Sequence, residues 1–117
     1  MAPVMAQYTY VAGMDGTLFP SWTGSKEIKP GKHKFVFASS HAAGIKSYVE
    51  TTINIKEGGQ YLVEITDPNA PDAVYGIYEM PSRKEIQKVS APLIYTSEYR
   101  SGDFLKSLLV AKGWKNP

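Results

Sequence analysis

A Pro-Gly dipeptide followed by a strictly alternating segment constrains the fold of this chain more than any other feature of its sequence. Pro30 presets its own φ angle, and Gly31 supplies the positive φ that a type II turn needs at its third position. The segment after the turn separates into two faces, His33, Phe35 and Phe37 against Lys32, Lys34 and Val36. The sequence therefore predicts a turn that leads into a strand over Lys32–Ala38, and a β-rich fold.

The composition is that of an ordinary globular protein. The 117 residues are 43% hydrophobic and 21% charged, and they include eight tyrosines, four phenylalanines and two tryptophans. Aromatic rings pack well on a pleated surface, so this set favours sheet structure. We expect a single domain over residues 1–117. The net charge of +2, with basic and acidic residues interleaved, argues against a nucleic-acid partner.

Cysteine is absent, which excludes disulfides, cysteine-ligated zinc and a thiol nucleophile. No apolar run approaches the ~20 residues needed to span a bilayer, so we expect no transmembrane segment. The first residues, Met1–Gln7, lack the basic region and long apolar core of a signal peptide. If the protein is exported, we expect its signal to be missing from this sequence.

Alternation and turn residues predict an antiparallel β-sandwich of about seven strands. The strand candidates are Gln7–Ala12, Thr17–Phe19, Lys26–Lys29, Lys32–Ala38, Ile45–Glu57, Gln60–Thr66, Ala73–Met80 and Leu93–Tyr99. Arg83–Ser90 is ambiguous between a helical turn and a polar edge strand. Gly76, inside a strand candidate, indicates a bulge or a close contact.

The segments between these strands carry turn and loop signals. Asp15-Gly16 and Gly58-Gly59 are expected to close hairpins, the second pairing Gln60–Thr66 with the strand before it. Pro20 is expected to end a strand, which leaves Trp22 in a loop over Ser21–Ser25. Ser39–Gly44 is expected to be a second loop.

The C-terminal segment changes to a helical period. Phe104, Leu105, Leu108 and Leu109 recur with the spacing of one helix face, which predicts a helix over about 102–112. Ser101 is the expected N-cap and Gly113 the expected C′ residue, with Trp114 packing back onto the last turn. We expect this helix to cover an end or an open edge of the sandwich.

The two histidines are the first candidates for chemistry. His33 lies on a predicted strand and His41 in the loop after it, so a metal pair is conceivable, but no spaced third ligand is evident. Ser39, Ser40 and Ser47 lie near them, yet no Gly-x-Ser-x-Gly elbow exists and these serines fit loop or strand-start positions.

The loop Asp67–Asp72 is the other candidate. Asp67, Asn69 and Asp72 offer oxygen ligands for calcium, although the twelve-residue pattern with its closing Glu is missing. A proline-stiffened turn explains the same residues. We assign no catalytic residue, no metal ligand and no cofactor, and leave open whether this loop binds calcium.

The high number of tyrosines is the feature of the composition that says most about possible partners. A tyrosine has an apolar ring with a polar tip, which suits contact with a protein or a sugar. Most of the eight tyrosines are nevertheless explained by rings that cover the margins of a small core. We select Trp22, Tyr48 and Tyr78 as candidate partner contacts.

The turn motifs also carry a resemblance. The chain shows Met14-Asp15-Gly16, then Ile28-x-Pro30-Gly31-x-His33, a long strand, and Glu57-Gly58-Gly59-Gln60-Tyr61. This order resembles a small β-sandwich module of bacterial envelope proteins and lipoproteins of unassigned function, over residues 8–66. The resemblance implies that Pro30, Gly31 and His33 form a structural turn. The chain departs from that pattern by lacking a lipid-bearing cysteine and by adding the segment from Ala73 onward.

The functional expectation follows from these points. We expect a non-enzymatic binding module of the bacterial periplasm or cell envelope, or a secreted one, that contacts a protein or a glycan. The cytoplasm is the alternative location, and the oligomeric state stays open. A self-assembling component of a virion or secretion apparatus is the alternative function, and a small metal-dependent enzyme using His33 and His41 is a third.

Overall fold

The computed structural model describes residues 1–42, 44–66, 70–95 and 103–117, which form ten strands and one helix. The protein is mainly β, as predicted. The strands are β1 (Ala2–Gln7), β2 (Tyr10–Met14), β3 (Thr17–Thr23), β4 (Ser25–Ile28), β5 (Gly31–Ala42), β6 (Ile45–Ile55), β7 (Gln60–Ile65), β8 (Ala73–Met80), β9 (Lys84–Ala91) and β10 (Ile94–Tyr95), and the helix is α1 (Asp103–Ala111). The expected strand number of about seven is too low.

The strands form two five-stranded sheets. The first sheet has the order β4-β1-β7-β8-β9 and the second sheet has the order β10-β6-β5-β2-β3. Strands β1 and β7 run parallel, with Val4 opposite Tyr61, whereas all the other described pairs are antiparallel. The chain passes through the second sheet between β1 and β7, and returns to the first sheet beside β1 in the same direction. The prediction of an antiparallel fold is therefore wrong for this pair.

The two sheets enclose a common hydrophobic core. Their inner faces contribute alternate residues of each strand, among them Val4, Phe35, Phe37, Ile53 and Tyr61, all buried. The rings of Phe35 and Phe37 stack with their centroids 5.4 Å apart. The alternation seen in the sequence is therefore confirmed as an inward-facing set.

Two turns that the sequence singles out carry the chain from one sheet to the other. Pro30-Gly31 joins β4 of the first sheet to β5 of the second, with Gly31 at φ +129°. Gly58-Gly59 likewise joins β6 to β7. The expected hairpin between β6 and β7 is wrong: Tyr61 and Val63 meet Ile53 across the core instead of pairing beside it. Alternation alone does not distinguish these two arrangements.

Several strand boundaries differ from expectation, three of them by enough to change a predicted loop or strand. The first strand candidate is broken at Tyr8, whose φ is +60°, so its residues divide between β1 and β2. Pro20 lies inside β3 rather than ending it, because β3 lies at the edge of its sheet, with β2 as its neighbouring strand among the described residues. The predicted loops therefore shorten: Trp22 lies in β3, and Ser39 continues β5 opposite Ser47 of β6.

In the ambiguous segment Arg83–Ser90, the residues from Lys84 onward form an edge strand, β9, which pairs with β8 and with no other strand that the structure describes. The Asp15-Gly16 hairpin is confirmed, with Met14 opposite Thr17. The late strand candidate Leu93–Tyr99 is confirmed only at β10, since residues 96–99 lie outside the described part of the chain.

Helix α1 packs on the outer face of the second sheet. Leu105 and Leu109 are buried against Val36 and Ala38, which lie on the side of β5 that faces away from the common core. The expectation that the helix would cover an end or an edge is wrong, because the outer faces of β2 and β5 carry enough small apolar residues to seat a helix. The chain does reach the edge after the helix, where Leu18 N–H donates to the Lys115 carbonyl at 2.8 Å.

The end of the helix is confirmed. Gly113 adopts φ +109° at the C′ position, its N–H donates to the Val110 carbonyl, and the Trp114 N–H donates to the Leu109 carbonyl. This is the Schellman pattern. Trp114 is buried in the same cluster as Leu109, so the aromatic ring does pack back onto the last turn. The expected N-cap, Ser101, lies outside the described residues.

Candidate binding site

A cavity of about 300 Å³ opens between β3 and α1 on the outer side of the second sheet. Its walls come from four elements: Tyr10 from β2, Trp22 from β3, Ser40 from β5, and Leu105 and Lys106 from α1. The volume lies at the lower end of the range of small-ligand pockets, ~300–1,000 Å³. The site is thus built by residues more than eighty positions apart in the sequence.

Trp22 carries the distinctive chemistry of this cavity. Its ring packs against the cluster under α1, and its Nε1 atom is buried without a hydrogen-bond partner among the described residues. A buried N–H donor left without an acceptor costs about 1–3 kcal/mol. This N–H is closed to solvent in the present conformation, so an acceptor oxygen recovers that cost only where it reaches the buried face of the ring.

The second feature is the ammonium group of Lys106, which lies 5.7 Å from the centroid of the Trp22 ring. This distance is within reach of a cation–π interaction. Tyr10 adds a partly exposed ring, and Ser21 and Ser40 add hydroxyl groups to the wall. Aromatic faces flanked by hydroxyls and one cation are an arrangement that suits the apolar face and polar rim of a sugar ring.

The structure separates the three candidate contact residues. Trp22 lines the cavity just described, whereas Tyr48 lies on β6 beside another cavity, with Lys112 Nζ 5.8 Å from its ring centroid. Tyr78 lies on the outer face of the first sheet under the guanidinium of Arg83, 4.5 Å from its ring centroid. Trp22 and Tyr48 pack against the same cluster under α1 but line different cavities, and Tyr78 lies on the other sheet; of the three, only Trp22 lines a cavity with a second aromatic residue.

His33 is held at the turn between the sheets. Its Nδ1 atom lies 2.7 Å from Asp15 Oδ2 and its Nε2 atom 2.9 Å from the Lys29 carbonyl oxygen. The hydrogen bond from Asp15 raises the pKa of His33, against the opposing effect of burial. The ring also makes an edge contact with Phe35. His33 thus ties the β2–β3 hairpin to the end of β4.

His41 belongs to a different polar cluster. Its Nε2 atom lies 2.9 Å from Ser39 Oγ and 3.0 Å from Ser47 Oγ, and both hydroxyls contact Tyr75 OH, at 2.9 and 2.7 Å. Burial lowers the pKa of His41 and raises that of Tyr75. The cluster joins β5 and β6 of the second sheet to β8 of the first.

A serine beside an imidazole is also the geometry of an activated nucleophile. Here Ser39 and Ser47 are only 1% and 0% exposed, so a substrate carbonyl does not reach either oxygen in this conformation. The contacts instead link three strands. Sequence reasoning placed Ser39 and His41 in a loop and missed this cluster, because only the pairing of Ser39 with Ser47 brings the groups together.

The two histidines do not form a pair. Both lie on β5, eight residues apart, which at ~3.3 Å per residue places them about 26 Å apart along the strand. The idea of a metal enzyme built on His33 and His41 is therefore not supported by the structure. For the Asp67–Asp72 loop, Asp67 and Asn69 lie outside the described residues.

Tyr10, Ser21 and Lys106 are the site residues that sequence reasoning did not single out. Tyr10 was one tyrosine among eight, and Lys106 lies on the helix near the apolar stripe. No local signal connects the two positions, since the contact depends on where α1 docks.

Comparison of the chain with protein-family models, with curated proteins and with solved structures finds no match. Within the described residues, no helix has the length and apolar character required to cross a membrane.

Proposed function

We propose that this chain is a β-sandwich binding module, not an enzyme, and that it holds a saccharide in the cavity between β3 and α1. The observation that carries the proposal is Trp22, which lines the cavity beside Tyr10 and whose buried indole N–H lacks an acceptor among the described residues. The neighbouring Tyr10 ring and the serine hydroxyls supply the mixed apolar and polar contacts that a sugar uses. Of the two partner classes expected from sequence, the concave shape favours the glycan over a flat protein surface.

The proposal is tested by isothermal titration calorimetry of the chain against a panel of neutral and acidic oligosaccharides. Binding is expected for at least one member, with at least a tenfold loss in the Trp22→Ala variant. Trp22→Phe keeps a ring but removes the N–H, and it is expected to weaken binding less. Tyr78→Ala, on the outer face of the other sheet, is the matched control and should bind as wild type. Failure of the whole panel, or equal losses for Trp22→Ala and Tyr78→Ala, would contradict the proposal.

The alternative function, self-assembly, is supported by one feature. Strand β9 is an edge of eight residues with its outer backbone groups unpaired by any described strand. Its side chains, however, include Lys84, Glu85 and Lys88, and charges on an edge are typical of strands protected against pairing. Light scattering coupled to size-exclusion chromatography separates the two functions: a monomer agrees with a binding module, and a large closed oligomer with self-assembly.

We further propose that the protein is located in the bacterial periplasm or cell envelope. It is supported only by the order of the turn motifs at Asp15-Gly16, Pro30-Gly31 and Gly58-Gly59, which resembles that of envelope modules. Fractionation of the native host with an antibody against the chain tests it. Recovery in the cytoplasmic fraction would contradict the location and leave the binding site untouched.

A further inference from the structure

We infer that the saccharide bound in this cavity is acidic, and that its carboxylate binds Lys106. This inference rests on the proposed function and names the ligand class of the same site. Lys106 is the one charged residue on the cavity wall, within the parts of the chain that the structure describes. Its ammonium group lies over the Trp22 ring, 5.7 Å from the ring centroid, so an anionic group that enters the cavity at this ring meets a cation.

The charge balance distinguishes this cavity from two others that border the helix region. One of those is lined by Lys34, Lys112 and Glu50, and Glu50 pairs with Lys34 at 4.0 Å and accepts from Trp114 Nε1. The other contains Lys112 together with Glu50. In both, a carboxylate of the protein already offsets the lysines. The cavity at Trp22 has a lysine without a carboxylate in its described wall, which is the composition that attracts an anionic ligand.

The hydrogen-bonding groups agree with this choice. The indole N–H of Trp22 and the ammonium of Lys106 are donors only, so both groups of the wall pair with acceptor oxygens and with no donor. A carboxylate offers acceptors alone, whereas a hydroxyl must also find an acceptor for its own proton. Ser21 and Ser40 can accept from or donate to the remaining ring hydroxyls.

The test compares two ligands that differ only at one carbon, methyl β-glucuronide and methyl β-glucoside, by isothermal titration calorimetry at low salt. The glucuronide is expected to bind about fivefold more tightly, the upper range for one partly exposed charge contact. Lys106→Gln should remove this preference, so that the variant binds the glucuronide and the glucoside with equal affinity. Lys112→Gln, at the other end of the helix, is the matched control and should keep the preference.

The outcomes separate this inference from the proposed function. Equal affinity for the two sugars, or a preference that survives Lys106→Gln, would overturn the acidic ligand and leave the saccharide site standing. Absence of binding to either sugar and to the oligosaccharide panel would overturn both. Binding of a glutamate-rich peptide without binding of the glucuronide would also overturn the inference, because the cation would then serve a protein partner. Loss of the preference at 0.5 M NaCl is expected, since salt screens a partly exposed charge pair.

Discussion

The imidazole of His33 donates Nδ1–H to Asp15 Oδ2 at 2.7 Å and Nε2–H to the Lys29 carbonyl at 2.9 Å. Both partners are acceptors only, so both hydrogen bonds form together only when the ring is doubly protonated. The second carboxylate oxygen, Asp15 Oδ1, accepts from the Lys34 N–H at 2.9 Å. His33, Asp15 and the Lys29 carbonyl, which we call the clip, therefore form a charged, hydrogen-bonded link at the turn where the chain passes from the first sheet to the second.

The carboxylate half of the clip is tested by Asp15→Asn. Burial raises the pKa of Asp15, but the hydrogen bonds from His33 and Lys34 and the charge of His33 together hold it below 3.8. The variant is expected to lose about 1 kcal/mol of unfolding free energy at pH 6, a modest value because Asp15 is half exposed. The difference should shrink as the pH falls through the lowered pKa. Urea denaturation measures it, with exposed Asp72→Asn as control; an unchanged midpoint for Asp15→Asn would contradict the clip.

His33 and His41 should make the unfolding free energy change with pH in opposite directions. The pKa of His33 is raised above 6.5, so its contribution is complete below pH 6.5 and is lost as the pH rises through the folded value. The pKa of His41 is lowered below 6.5 by burial, so its contribution is present above 6.5 and is lost as the pH falls. His33→Gln and His41→Gln, compared with wild type by urea denaturation from pH 5 to 8.5, should remove these slopes separately. If the two variants differed from wild type in the same direction at each pH, the opposite pKa shifts given for His33 and His41 would be contradicted.

The hydroxyl cluster between the sheets is tested by Tyr75→Phe. Tyr75 OH contacts Ser39 and Ser47 in the core, and removing it leaves two buried hydroxyls with one partner fewer. The expected loss is about 1 kcal/mol of unfolding free energy. Tyr95→Phe is a matched control, because Tyr95 is exposed. A Tyr75→Phe variant as stable as this control would show that the cluster does not stabilise the fold.

Gly76 is required by a close approach within the first sheet. A Cβ atom at this position would lie 2.3 Å from Thr66 Cγ2 and 2.6 Å from Tyr78 OH, so Gly76→Ala forces both side chains to move. We expect a loss of about 1–3 kcal/mol in thermal or urea unfolding. Gly24→Ala, where the nearest atom beyond the chain neighbours is the Ala6 carbonyl oxygen at 3.3 Å, should cost less. The reverse order would contradict the packing around Tyr78.

Local patterns predicted much of the secondary structure. Alternation located β5, β6 and β8, and the expected close contact at Gly76 is confirmed. The helical period located α1, and Gly113 ended it as expected. Apart from the contact of Gly76 with Thr66, these features depend on residues that are near in sequence, so a single sequence contains them.

The arrangement of the elements was not predictable in the same way. The apolar face of β7 is buried equally well whether β7 pairs beside β6 or packs across the core from it. The structure has the second arrangement. The site depends on this long-range geometry, since Trp22 and Lys106 meet only because α1 docks on the face of the second sheet. The sequence singled out Trp22, but for a loop that proved to be an edge strand.

The binding site itself is tested most directly by the two indole N–H signals in a ¹H–¹⁵N correlation spectrum, assigned with Trp22→Phe. The chain has two tryptophans, of which Trp114 donates its indole N–H to Glu50 while that of Trp22 has no partner among the described residues. Titration with methyl β-glucuronide should shift the Trp22 signal downfield in a saturable manner and leave the Trp114 signal in place. A spectrum in which only the Trp114 signal moves, or in which neither signal moves with the glucuronide, the glucoside or any member of the oligosaccharide panel, would contradict a saccharide site at Trp22.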